Sequence, residues 1–247
     1  MDEFHWSLTY EGVLTITLTN EDALLTMELL AQLQKMYRHP PISTRVMFLT
    51  HQGEHFCLGG KVGDPRQKSG NDYERFAEAL ENTFIAISDC PLPTICLLHG
   101  KTNGGGMAFL EAFDLAYCDQ NSLFSIAEME NHLPPVLSFA GASLVLPSKK
   151  LMEMALLSTS ITAEQAVAFG VVTDIVSNVD MEAITQSLAL QNPTAITHIK
   201  KLKQMMQGTR RRTAYDWASL LLPQAIRNPH SFETLNAKDK GREPCYK

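Results

Sequence analysis

Three consecutive glycines, Gly104–Gly106, stand between the apolar run TICLL at 94–98 and the helix-patterned segment MAFLEAF at 107–113. A buried strand that turns at once into a helix needs such residues, because glycine takes positive φ freely and lets two backbones approach closely. The junction predicts a strand–turn–helix unit, and similar units precede it. WSLTYEGVLTITLTN alternates apolar and polar residues around a glycine, the pattern of a hairpin of half-buried strands. TMELLAQLQKMYR then has helical spacing through Met27, Leu30, Leu33 and Met36, and HPP at 39–41 ends it. RVMFLT at 45–50 is a short apolar run suited to a buried strand.

The polar, glycine-containing stretch 51–72 reads as a long working loop ahead of the helix YERFAEALENTFIAIS. DLAYCD and SLFSI read as further strands. Helical patterns dominate from Leu137 onward, interrupted by a helix–glycine–strand unit in ITAEQAVAFGVVTDIV. Repeated β–α–β units imply an α/β fold with a mainly parallel sheet under helical cover. The expected organisation is a core over 1–190 followed by a helical region over 191–247.

A net charge of −6 gives no general attraction for nucleic acid or an anionic membrane, and no apolar run approaches roughly 18 residues. One local basic cluster remains, Lys200, Lys201 and Lys203 followed by Arg210, Arg211 and Arg212, which suits a solvated helix face or a contact for phosphate. The five cysteines, Cys57, Cys90, Cys96, Cys118 and Cys245, have no metal-ligand spacing and read as free thiols. With no basic-then-apolar leader in MDEFHWSLTY, the cytoplasm is the expected location.

Taken alone, the triple glycine is better explained by a tight turn than by a binding site. A second pair, Gly59–Gly60, ends FCLGG one βα unit earlier, and a parallel sheet brings both loops to neighbouring strand ends. Backbone N–H groups there, one set at a helix N-terminus, can grip a thioester carbonyl and stabilise an enolate or tetrahedral oxyanion.

HFCLGGKV, the run CPLPTICLLHGKTNGGGMAFLEAFDLAYCDQNSLFSIAE, ITAEQAVAFGVVTDIV and the closing DKGREPCY together resemble the enoyl-CoA hydratase/isomerase, or crotonase, family. The resemblance implies a superhelix of ββα turns with a C-terminal helical trimerisation region, assembled as a homotrimer or hexamer. It implies no resident cofactor or metal, because CoA or phosphopantetheine arrives with the substrate. It assigns the carbonyl-binding N–H groups to Gly60 and Gly105, with Gly59 and Gly104 beside them, and backbone contacts to CoA to Ala23 and Leu58. Basic residues of the C-terminal helices would meet phosphates.

FSIAE places Glu128 at one of the family's two acid positions, whereas Ala108 occupies the other. Glu111 and Glu130 are candidate substitutes, and His132, Lys68 and His230 are candidate auxiliary groups. Adding water to a double bond needs one group for water and one for the α proton, whereas moving a double bond needs a single base. The leading expectation is therefore an acyl-CoA hydratase/isomerase-type enzyme with one glutamate as proton shuttle. The alternatives are a polyketide-pathway dehydratase or decarboxylase acting on an acyl-carrier-protein thioester, and a degenerate member that binds acyl-CoA without chemistry.

Overall fold

A computed structural model of the chain describes residues 3–63, 66–227 and 229–245, with the side chains at 205–215, 217, 218, 221, 225 and 230 outside the description. The opening hairpin forms as its alternation predicts. Strands β1 (Phe4–Leu8) and β2 (Val13–Leu18) pair antiparallel, with Phe4 opposite Leu18 and Leu8 opposite Leu14. Leu14, Ile16 and Leu18 are fully buried on one face of β2, the period of two that a half-buried strand imposes. The hydroxyl of Thr26 accepts the Leu29 N–H at 3.0 Å and so caps α1 (Met27–Arg38), which buries Leu29, Leu30, Leu33 and Tyr37.

β3 (Val46–His51) lies parallel to β2 and to β4 (Thr94–Leu98). Between β3 and β4, α2 (Gly70–Asp89) starts three residues before the expected Tyr73. The cause is a capping box: the Ser69 hydroxyl accepts the Asp72 N–H, and the Asp72 carboxylate accepts the Ser69 N–H at 2.8 Å. The chain continues through β5 (Lys101–Asn103), α3 (Gly105–Glu111), β6 (Leu115–Cys118), β7 (Leu123–Ser125) and a 3-10 turn at Glu128–Asn131. Then follow α4 (Val136–Ala142), α5 (Ser148–Leu157), β8 (Ser160–Thr162), α6 (Ala163–Phe169) and β9 (Asp174–Ile175). The last elements are α7 (Met181–Leu190), α8 (Pro193–Ile226) and α9 (Pro229–Asp239).

One sheet runs β1-β2-β3-β4-β6-β9 and is parallel apart from the first hairpin; a second runs β5-β7-β8. The sequence KTNGGG reads as a turn, but Lys101–Asn103 is a strand, paired with Leu123–Ser125 in the second sheet. Gly100 makes this step, at φ 59 and so close to the loop before it that a Cβ would stand 2.1 Å from the Glu54 carbonyl oxygen. Bridges between Leu25 and Gly60 and between Cys57 and Thr102 extend the second layer. Each unit thus contributes one segment to each layer and returns by a helix, the ββα superhelix that the resemblance implies. The second layer carries both glycine loops side by side.

Phe109 on α3 is fully buried among Phe56, Phe84 and Phe113, with ring centroids 6.2, 5.8 and 5.5 Å away. Each such ring contributes roughly 1.5–3 kcal/mol by burial, so the helix that follows the triple glycine is firmly seated. Helix α8 packs against α2 and α4. Near its start, Lys200 and Lys203 reach Asp114, whose carboxylate also accepts the Thr94 N–H and hydroxyl at 3.0 Å each. This revises the reading of the basic cluster: Lys200 is buried and, like Lys203, is engaged with the core, whereas Lys201 faces solvent. The side chains of Arg210, Arg211 and Arg212 lie outside the described residues. No described helix is long and apolar enough to cross a membrane.

Candidate active site

The first loop is fixed at its root by His51. Its Nδ1 accepts the Gly53 N–H at 2.7 Å, so the ring proton is on Nε2, which donates to the Asn20 carbonyl at 3.0 Å. Burial lowers the His51 pKa and keeps this ring neutral. Beyond it, Leu58 N–H donates to the Ala23 carbonyl at 2.8 Å, and Leu25 N–H donates to the Gly59 carbonyl at 2.8 Å. Gly59 has φ 108, a conformation that a side chain resists. At Gly60 a Cβ would stand 2.7 Å from Cε1 of Phe76, so the ring packs directly on the bare backbone. The Cys57 thiol beneath the loop is pushed up to about 12 by burial and is not a nucleophile at neutral pH.

The second loop begins at Gly104, whose N–H donates to the Ser125 carbonyl at 3.1 Å. Its φ of 55 and ψ of −123 are accessible to glycine alone. Gly105 opens α3. The two loops face each other: a Cβ on Gly105 would lie 3.6 Å from the Gly60 nitrogen, and one on Gly59 would lie 3.6 Å from the Gly105 nitrogen. The N–H groups of Gly60 and Gly105 donate to no acceptor among the described residues. Both residues line a cavity of about 370 Å³. Two free donors at one wall can hold a carbonyl oxygen, and hold it more strongly as it gains negative charge.

Glu128 enters the same cavity at the start of the 3-10 turn. Its Oε1 accepts the hydroxyl of Ser138 on α4, whereas its Oε2 is buried and accepts no hydrogen bond among the described residues. Burial raises the carboxyl pKa, with the Ser138 bond opposing that shift. Gly104 lies against this carboxyl group; a Cβ there would stand 3.2 Å from Oε1. The remaining wall is largely apolar, with Phe76 and Leu80 from α2, Leu133 and Leu137 near α4, and Leu222 and Ile226 from α8. Leu235, Lys238 and Asp239 of α9 complete it.

The structure therefore brings Leu58, Gly59, Gly60, Gly104, Gly105 and Glu128 to one cavity. Ala23, at φ 51, stands behind it and supports Leu58, while Leu24 supplies the lining. His132 is not brought in: its residue is exposed, and its carbonyl accepts the Ser231 hydroxyl at 2.5 Å while Asn131 and Leu133 face the cavity. Its left-handed φ of 54 at the end of the turn directs the chain this way. Lys68 is exposed beside Gly63 at the rim, and Glu111 is buried in α3 away from the lining. Glu130 is exposed. His230 falls in α9, with its side chain outside the described residues.

At Ala108, which the resemblance aligns with the second acid position, the side chain is fully buried in α3. Lys61, on the lining, is held by Asp22 at 2.8 Å. The five cysteines are free thiols, four of them buried, and no group of three potential metal ligands occurs among the described residues. Sequence reasoning missed Ser138 and the covering residues of α8 and α9, for which the chain offered no local signal.

A family model described as enoyl-CoA hydratase/isomerase matches residues 9–220. The chain is 25% identical over 241 residues to the peroxisomal Delta(3,5)-Delta(2,4)-dienoyl-CoA isomerase of Arabidopsis thaliana, covering 87% of this chain and 83% of that protein. It is 28% identical over 204 residues to the 1,2-epoxyphenylacetyl-CoA isomerase of Escherichia coli, covering 76% of each. With the bacillaene synthase dehydratase PksH of Bacillus subtilis it shares 28% identity over 160 residues, 63% of this chain and 62% of that one. The solved structure of an enoyl-CoA hydratase from Bacillus halodurans matches with a TM-score of 0.85 at 18% identity, covering 96% of this chain and 100% of that one.

Proposed function

Because the chain belongs to the enoyl-CoA hydratase/isomerase family of enzymes, as the match over residues 9–220 establishes, we propose that it relocates a double bond in an acyl-CoA thioester. In this reading the N–H groups of Gly60 and Gly105 bind the thioester carbonyl oxygen. The Glu128 carboxylate removes a proton from the α carbon of a β,γ-unsaturated acyl group, and the electron pair delocalises onto that oxygen as an enolate. The same carboxyl then returns the proton at the γ carbon, leaving the α,β-unsaturated product and an unchanged enzyme. One observation carries the reading: Gly60, Gly105 and Glu128 line one cavity, their two N–H groups and the Glu128 Oε2 have no hydrogen-bond partner among the described residues, and Ala108 stands at the second acid position.

The substrate brings its own CoA, and the reading needs no resident cofactor or metal. Leu58, on the lining, is assigned to CoA, with Ala23 supporting it from behind through the Leu58 N–H to Ala23 carbonyl bond, and Lys238 at the cavity offers a positive charge for a phosphate. Exposed Ile199, Leu202 and Leu220 along α8 favour assembly; in this reading the assembly is a homotrimer or hexamer, as the resemblance implies, and lies in the cytoplasm. A carrier-protein-linked acyl substrate is the second reading, favoured by the identity shared with the dehydratase PksH.

The test is deuterium incorporation and isomerisation of β,γ-hexenoyl-CoA in heavy water. Wild-type protein exchanges and isomerises, whereas Glu128→Gln binds the thioester and does neither. Full exchange by Glu128→Gln removes the assigned role. Reaction of the hexenoyl group on a carrier protein but not on CoA favours the second reading.

A further inference from the structure

Ser138 is fully buried in the first turns of α4, where an apolar residue would pack without the need for a partner. Its hydroxyl donates to Oε1 of Glu128 and lies 3.2 Å from the carbonyl oxygen of Pro135, so one proton has two acceptors available. Oε2 of Glu128 has none among the described residues. A glutamate's terminal torsion is otherwise a broad, nearly two-fold rotor, and its two oxygens exchange places freely. We propose that Ser138 is a positioning residue for Glu128: its hydroxyl pins Oε1 and leaves Oε2 as the one oxygen that carries the proton to and from the substrate. The proposal rests on Glu128 being the proton shuttle.

Two consequences follow from the geometry. Fixing the carboxylate plane holds the unpartnered oxygen in one orientation, and a fixed orientation is what makes a bound base effective. A hydroxyl bond to the charged form also keeps the base ionised against the pull of burial, which favours the neutral acid. The other ionisable residues on the cavity wall are Lys61, already paired with Asp22, and Lys238 and Asp239 of α9. They are common to wild type and variants, so they do not alter a comparison made at Ser138.

The experiment compares wild type with Ser138→Ala and Ser138→Cys, the latter retaining a weaker donor. Two readouts are taken: the pH profile of kcat and KM with β,γ-hexenoyl-CoA, and the carbon-13 titration of the Glu128 carboxyl, assigned by its loss in Glu128→Gln. In Ser138→Ala the acid limb and the carboxyl titration move up together by about one pH unit, equivalent to about 1.4 kcal/mol. In the same variant kcat at its plateau falls roughly 10-fold, and KM changes less than about two-fold. Ser138→Cys lies between the two, and it carries the test if the alanine variant does not fold. An unmoved titration in both variants overturns the proposal, whatever happens to kcat. Failure of the shuttle reading has a different signature, full exchange by Glu128→Gln, on which the serine variants have no bearing.

Discussion

Replacing Gly104 by alanine places one methyl group against the Glu128 carboxyl and forces a side chain onto a backbone with φ 55 and ψ −123. That ψ is far from the left-handed helical region an L-residue can visit, so the backbone term alone costs about 2 kcal/mol, within a range of roughly 1–3. At roughly 2–4 °C per kcal/mol for a chain of this size, the thermal midpoint falls by about 4–8 °C. The methyl carbon would sit 3.2, 3.3 and 3.6 Å from Oε1, Cδ and Oε2, so the carboxyl must yield by a few tenths of an ångström. A displacement near 1 Å costs on the order of 100-fold in rate, so a third of that costs about 5-fold in kcat.

The Gly105 N–H is untouched by this change, and KM moves less than kcat. Calorimetry and steady-state kinetics with β,γ-hexenoyl-CoA measure both effects. Gly170→Ala is the control: Gly170 ends α6 at φ 76 with nothing within 4 Å of an added Cβ, so it loses stability while keeping kcat. Wild-type kcat and midpoint in Gly104→Ala refute the claim that this glycine is held both by its backbone and by the acid.

Glu128→Gln stabilises the fold at neutral pH. Burial raises the folded pKa of Glu128 above its unfolded value, so the group's contribution is fully present below the unfolded pKa and is lost as pH rises through the folded one. Glutamine has no such loss; urea unfolding across pH shows the variant ahead at neutral pH and level with wild type in acid, and a constant offset contradicts the assignment. Lys200→Ala destabilises by about 1–3 kcal/mol, below the roughly 3–5 expected of a stranded buried charge, because Asp114 keeps Lys203 and Thr94. No loss by urea unfolding shows that the clamp at the start of α8 contributes nothing.

The features legible in the sequence are those that local physics decides. The β1–β2 hairpin follows from alternation, α1 from its period, and the two glycine loops from the absence of Cβ atoms where backbones approach within contact distance. What escaped depends on partners distant in the chain. Lys101–Asn103 is too polar to read as a strand, and its pairing with Leu123–Ser125 exists only once the second sheet forms. Ser138 acquires its role only when α4 folds over the turn that begins at Glu128. The C-terminal periodicity showed helices but not their destination. Leu222, Ile226 and Leu235 return to close their own chain's cavity, and Lys200 leaves solvent for Asp114. The early start of α2 is the exception, because the Ser69–Asp72 capping signal was local and was outweighed by the glycine after it.

That closure bears on which reaction the Glu128 carboxylate suits. Hydration requires a water molecule held opposite the acid, together with a second group to activate it. At the second acid position the chain has Ala108, fully buried in the helix that seats Phe109, and the surrounding wall is built from Phe76, Leu80, Leu133 and Leu137. Helices α8 and α9 add Leu222, Ile226 and Leu235 to that wall, with Lys238 and Asp239 beside them. In the proposed reading a bound acyl group displaces water from this cavity, which strengthens the pull of both N–H groups on a developing oxyanion. It also makes Glu128 a stronger base, because the charged form is poorly solvated. Each of these effects helps a proton that leaves and rejoins the same substrate, and each opposes a reaction that must admit and ionise water. In the proposed reading, the Glu128 carboxylate, with Ala108 where a second acid would stand, is better matched to double-bond migration than to hydration.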